Sequence, residues 1–181
     1  MTPLPKNGIT LYNTSIQTPL GPMLAIADAQ ALHMLAFTDA PGLPRHLRRL
    51  NSRLGGIILK EVRPGDVAPL QRIFDELRAY FAGTLRNFTT PLRLQGSPFQ
   101  TQAWDALRAT AYGTTVSYLE QAQQCGHPKA FRAIANTNGA NNFAIVIPCH
   151  RAIKSNGDLC GYNGGIERKK FLINHERRHA I

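Results

Sequence analysis

Short apolar-rich stretches open the chain, Ile9 to Ile16 and Met23 to Ala27, separated by Thr18-Pro19-Leu20-Gly21-Pro22 and followed by Leu32 to Phe37. Runs of this length bounded by Pro and Gly predict strands joined by tight connections. From Leu43 to Leu54 the period changes. Leu43, Leu47, Leu50 and Leu54 recur at helical spacing with Arg45, Arg48, Arg49 and Arg53 between them, and Ile57 to Val62 is β-rich again. That alternation predicts a small α/β unit. Pro69 suits a first helical turn, and Ile73, Phe74, Leu77, Tyr80 and Phe81 make one apolar stripe that stops at Gly83, a further helix.

Between Arg86 and Gly96 the pattern loosens. Ser97-Pro98-Phe99-Gln100 then reads as an N-cap, a first-turn proline and a capping-box glutamine, which puts a domain boundary near residue 96. Two domains are expected: an α/β unit over 1–96 and a mostly α unit over 97–181. The helix after Ser97 turns Trp104 and Leu107 inward and is expected to end at Gly113. A shorter one starts near Ser117 and breaks at Cys125-Gly126-His127, and a third runs from Pro128 to about Asn138, stopped by Gly139. Two short helices about a glycine turn make a helix-turn-helix pattern, a shape that many helical domains contain without touching DNA. Phe143 to Ile147 is a continuous apolar run read as a buried strand ended by Pro148, and a last helix is expected from Ile166 to about His175.

Charge adds a partner class. The 181 residues carry 21 Lys+Arg and 11 Asp+Glu, a formal charge of +10. A basic surface concentrates polyanions, so nucleic acid comes first and an anionic membrane surface second, with plain solubility as the bland alternative. Residues 1–96 hold 11 basic and 6 acidic side chains and the remainder 10 and 5, so each half is +5 and no arm or tail is marked out. No apolar run approaches the ~18 residues of a membrane span, and Met1 to Gly8 lacks the basic-then-apolar pattern of a signal peptide. No membrane partner is expected, and the protein is expected inside the cell. Cys125, Cys149 and Cys160 are odd in number and form no C-x-x-C pair. That argues against a disulfide framework or structural zinc and leaves at least one thiol free. No metal and no cofactor is expected.

Chemistry concentrates after Pro148. A free cysteine is most often a small core residue, but Cys149 is followed by His150, and an imidazole with a third orienting group generates the reactive thiolate. Neighbouring strand residues point to opposite faces. Direct contact between Cys149 and His150 therefore requires a bent backbone or a bridging water. The candidate third group is Glu176, which falls between the directions of Leu172 and Ile173; a carboxylate on an apolar face needs a partner, and a frayed, solvated terminus is an equal alternative. Gly161-Tyr162-Asn163-Gly164-Gly165 reads as a mobile loop beside the cysteine. As a phosphate cradle it lacks the lysine-hydroxyl pair of a P-loop.

Asn141, Ile145-Val146-Ile147-Pro148-Cys149-His150-Arg151, Gly161 to Gly165 and His175-Glu176 resemble the O6-alkylguanine-DNA alkyltransferases. Upstream, Ser97 to Phe99, Val116-Ser117-Tyr118 and Pro128 to Arg132 extend the likeness, while the first 90 residues agree in outline. The resemblance implies a ribonuclease-H-like α/β domain followed by a helical DNA-binding domain with a helix-turn-helix. It implies a single-turnover reaction in which a flipped O6-alkylguanine gives its alkyl group to Cys149, His150 acts as base through a water, Glu176 orients the imidazole and Asn141 braces the cysteine turn. Tyr118 would donate to the guanine and crowd its 3′ phosphate, and Arg132 would replace the flipped base in the stack. Ala130, Ala133 and Thr137 would form a small-residue face for the minor groove. The pocket would use the carbonyls of Cys149 and Ala152 and the Asn163 N–H, within the loop that carries Tyr162. Valine is commoner in the family at position 152, and serine or arginine at 163. The implied partner is double-stranded DNA bearing O6-alkylguanine, met by a monomer. Two other classes compete: a DNA-binding module that recognises without repairing, and a cysteine hydrolase built on Cys149, His150 and Glu176.

Overall fold

The computed structural model describes residues 8–180; the start of the chain, where no signal pattern is read, lies largely outside the described residues. The first half is a four-stranded sheet of β1 (Ile9–Ile16), β2 (Met23–Ala27), β3 (Leu32–Phe37) and β4 (Ile57–Glu61) in the order β3-β2-β1-β4, antiparallel except for the parallel pair β1–β4. The β1–β2 turn closes through Thr18, whose hydroxyl donates to the Gly21 carbonyl at 2.6 Å. Helix α1 (Leu43–Arg53) carries the chain across to β4, and α2 (Ala68–Phe81) covers the opposite face. Strand parity divides the core accordingly. Leu11, Ile26, Met34 and Ala36 pack with Leu50 of α1. Met23, Ala25, Leu35 and Phe37 pack with Leu70, Ile73, Leu77 and Tyr80 of α2. All six residues of β3 are buried, as a strand covered on both faces requires.

The second half is mostly helical: α3 (Pro98–Ala109), β5 (Val116–Ser117), α4 (Tyr118–Gln124), α5 (Phe131–Gly139), β6 (Ala152–Ile153) and α6 (Ile166–Arg178). Ser97 and Ser117 cap α3 and α4, each in a reciprocal capping box, with Gln100 and with Glu120. The α/β and helical halves expected from the pattern are both present. Trp104, Leu107, Phe143, Ile147 and Leu172 join the α2 side of the sheet in one core cluster, so the apolar interior runs through both halves.

Four expectations shift. Helix α3 stops at Ala109, because Thr110 is extended; Gly113, at φ +79°, serves a later turn. Helix α5 starts at Phe131 rather than Pro128, since the Ala130 N–H closes a turn on the His127 carbonyl at 2.8 Å. Helix α6 runs past His175 to Arg178, where its basic last turn complements the helix dipole. The apolar run from Phe143 to Ile147 is not a strand. Phe143 makes one bridge to Leu35, after which the backbone turns at Ile145, φ +72°, and bonds to itself through Ile147 N–H to Phe143 carbonyl at 2.9 Å. Its side chains are buried because both halves pack around it, and periodicity cannot separate that cause from strand pairing.

Candidate active site

The turns that replace the expected strand deliver Cys149 into a single turn of 3-10 helix, Cys149–Arg151. Asn141 knits this turn: its Nδ2 donates to the Ile147 carbonyl at 2.9 Å and to Cys149 Sγ at 3.2 Å, while its Oδ1 accepts from the Phe143 N–H at 2.8 Å. The bend turns His150 away from the thiol, so that Nε2 meets Glu176 Oε1 at 2.8 Å. Glu176 is 1% exposed, within α6 and not frayed. It also accepts from Tyr80 Oη at 3.0 Å, from Arg151 Nε at 2.8 Å and Nη2 at 3.0 Å, and from the Gly113 N–H at 3.2 Å. Arg151 Nη1 in turn donates to the Thr110 carbonyl at 2.6 Å.

Each environment sets a protonation state. Burial pushes the Glu176 carboxyl up, but its hydrogen bonds from His150 and Arg151 and the Arg151 charge outweigh that and hold it at about 2. Burial lowers the His150 imidazole against the pull of Glu176, which favours the neutral ring. A carboxylate only accepts, so Nε2 carries the hydrogen and Nδ1 keeps its lone pair. That Nδ1 is buried with no hydrogen-bond partner among the described residues. Burial raises the Cys149 thiol, opposed by Asn141 and by the charge of Lys169. Burial therefore favours the protonated thiol over the thiolate.

Cys149 opens into a cleft of about 340 Å³ whose walls include Tyr118, Asn138, Gly139, Tyr162, Asn163 and Arg45. Tyr118 Oη donates to the Cys160 carbonyl at 3.3 Å, and burial raises its phenol. Tyr162 stands edge-on to His150 with ring centres 6.4 Å apart. The Asn163 carboxamide reaches the other half of the protein, accepting from the Gly42 N–H at 3.1 Å. Ala152 is buried, and its carbonyl accepts from Lys169 Nζ at 2.5 Å. Arg132 and Ala133 stand exposed on α5, outside the cleft wall, which that helix forms with Ala135, Asn136, Asn138 and Gly139. Thr137 departs from the expected small-residue face. It is 5% exposed, and its carbonyl accepts from Trp104 Nε1 at 3.1 Å.

The structure adds three residues to the site. In the sequence Arg151 reads only as the end of a motif and Tyr80 as part of an apolar stripe. Lys169, fully buried, ties the Cys160 carbonyl at 2.6 Å and the Ala152 carbonyl to α6. Its signal was present: Lys169, Leu172, Ile173 and Glu176 share one helical face, and a lysine in such a stripe must find acceptors.

A buried thiol backed by an uncharged imidazole and a carboxylate, beside paired helices on a basic protein, defines the class of cysteine-nucleophile proteins that work on a polyanionic substrate. The ribonuclease-like domain of 6-O-methylguanine DNA methyltransferase matches residues 11–94, and its DNA-binding domain matches 98–178. A methylated-DNA-protein-cysteine methyltransferase of Shigella flexneri is 37% identical over 171 residues, 93% of this chain and 96% of that one. One from Mycolicibacterium paratuberculosis is 51% identical over 106 residues, spanning 59% of this chain and 64% of its own length. Among solved structures, an O6-methylguanine methyltransferase of Mycobacterium tuberculosis superposes with TM-score 0.79 at 34% identity, covering 94% of this chain and 95% of that one. An OGT of the same organism in complex with DNA gives 0.78 at 33%, covering 94% of each chain. The chain belongs to the methylated-DNA-protein-cysteine methyltransferases, the O6-alkylguanine-DNA alkyltransferase family of DNA repair. Among the described residues no helix is long and apolar enough to cross a membrane.

Proposed function

We propose that this protein repairs O6-alkylguanine in double-stranded DNA by moving the alkyl group to its own Cys149, once per molecule. The observation that carries the reading is the buried array of Asn141, Cys149, His150 and Glu176 at the floor of the cleft. The lesion rotates out of the duplex, because a stacked O6 substituent is out of reach. His150 Nδ1 takes the thiol proton through a water, and the sulfur attacks the alkyl carbon. A carbon–sulfur bond forms as the bond to O6 breaks, and guanine leaves with one proton gained. Tyr118 Oη is the donor nearest that oxygen in this reading, which requires it to exchange its Cys160 partner for the base. The thioether has no leaving group for water to displace, so the protein is consumed.

DNA is held by α4, its glycine turn and α5 acting as a helix-turn-helix, with α5 in the minor groove, Ala133 allowing close approach and Arg132 filling the vacated stack. Exposure of both side chains supports these roles. The Asn163 N–H and the carbonyls of Cys149 and Ala152 read the flipped base, and the loop bearing Tyr162 closes one wall. Residues 1–96 form the ribonuclease-H-like domain, 97–181 the DNA-binding one, and the protein works as a monomer inside the cell. Mass spectrometry after incubation with a duplex carrying O6-methylguanine tests the reading. One methyl group on Cys149 is expected, and uptake of label by Cys149→Ala would overturn it.

A further inference from the structure

We propose that the exposed side of α1 is a second DNA-binding surface, on which Arg45, Arg48, Arg49 and Arg53 hold phosphates of the strand that leaves the cleft. This rests on the DNA reading above and extends it to the half of the protein that the reading otherwise leaves without a contact. Leu43, Leu47 and Leu50 turn the inner side of α1 onto the sheet, so the four arginines face outward and are exposed. The helix contains no acidic residue, and among the described residues none of the four arginines makes an ion pair. Arginines three and four positions apart on one helix repel one another. The helix C-terminus accounts for Arg53 alone, because dipole stabilisation is confined to the last turn. What the row lacks is a line of external negative charge.

Its position names which one. Arg45 lines the same cleft as Cys149, and its Nη2 donates to the Gly139 carbonyl, at the end of α5, at 3.4 Å. The row therefore begins at the rim of the cleft. It runs from Arg45 to Arg53 along α1, about 12 Å at ~1.5 Å per residue. A DNA strand presents one phosphate per ~3.4 Å of axis, so a ridge of that length faces several of them. The +5 of the first half then has a use, since these four side chains supply much of it.

The test is a salt titration of binding to a fluorescent duplex carrying one O6-methylguanine. Three proteins are compared: wild type, the triple variant Arg48→Gln, Arg49→Gln, Arg53→Gln, and the triple Arg-to-Lys variant at the same positions. The glutamine variant is expected to lose about tenfold or more in affinity near ~0.1 M salt, and its slope of log K against log salt to flatten by about 2 to 3. The lysine variant should keep the wild-type slope, because an ammonium serves as well for a point contact to phosphate. A wild-type slope in the glutamine variant, or a loss shared by both triple variants, overturns the ridge and leaves the DNA reading standing. A flat response in the wild type overturns the DNA reading itself.

Discussion

Glu176 gathers five hydrogen bonds at 1% exposure, and two of them come from the Arg151 guanidinium. Glu176→Gln keeps the shape but strands that cation, so a loss on the order of 3 to 5 kcal/mol is expected in denaturant unfolding. The folded carboxyl is held at about 2 against a usual 4.5. A depressed value stabilises the folded state above the unfolded pKa and stops doing so as pH falls through the folded one. Wild-type stability should therefore drop between about pH 4.5 and 2, and the glutamine variant should be flatter over that window, which acid titration of the unfolding midpoint measures. For His150→Gln, the single-turnover transfer rate near neutral pH should fall by about 10² to 10⁴. It should recover in part as pH rises past the ordinary thiol range of about 8.5, where the burial-raised Cys149 ionises without help.

Helices α4 and α5 meet through amides rather than apolar side chains alone. Asn138 Nδ2 donates to Gln121 Oε1 at 2.8 Å, and Gln121 Nε2 donates to Asn138 Oδ1 at 3.2 Å and to the Ala103 carbonyl at 2.9 Å. Both side chains are buried. Asn138→Ala leaves the glutamine short of partners and should cost about 1 to 3 kcal/mol. Gln121→Ala with Asn138→Ala should cost less than the two single changes added, a coupling that a double-mutant cycle in thermal unfolding reads out. The cap of α3 was legible in the sequence: Ser97 with Gln100 acts within four residues, and the structure forms that box. The amide pair was not, because nothing local tells a buried asparagine from the exposed Asn136 two positions before it.

Across the whole molecule, the sheet half holds the reacting half in place. The β3 edge accepts the segment before the cysteine turn, with Leu35 N–H donating to the Asn142 carbonyl and Ala144 N–H to the Leu35 carbonyl, both at 2.8 Å. Arg168, near the start of α6, reaches the Leu20 carbonyl and Asp39, each at 2.8 Å, with its guanidinium 4.2 Å above the Phe37 ring. Gly42 abuts the Asn163 carboxamide so closely that a Cβ there would collide with it. Gly42→Ala should therefore displace the Tyr162–Asn163 loop and slow methyl transfer by about tenfold, while Cys149 is still the residue labelled. A rate equal to wild type would show that the loop does not depend on the sheet half. The effect of about one order of magnitude matches a small misplacement of positioning groups.

The amino-acid pattern alone determined the order and kind of β1 to β4 and of the six helices, the α3 cap, the odd number of thiols, and Cys149, His150 and Glu176 as candidates for one site. Those properties are set by period, by turn chemistry and by residue type within a few positions. Tertiary structure decided that Phe143–Ile147 folds as turns, that Glu176 is buried among donors from three segments, and that Lys169, Arg151 and Tyr80 belong to the site. It also decided that an arginine row on the first half begins beside a cysteine of the second. Each of these depends on which distant surfaces share a core, and burial of a polar group is fixed by its partners, which lie as far as 96 positions away between Tyr80 and Glu176.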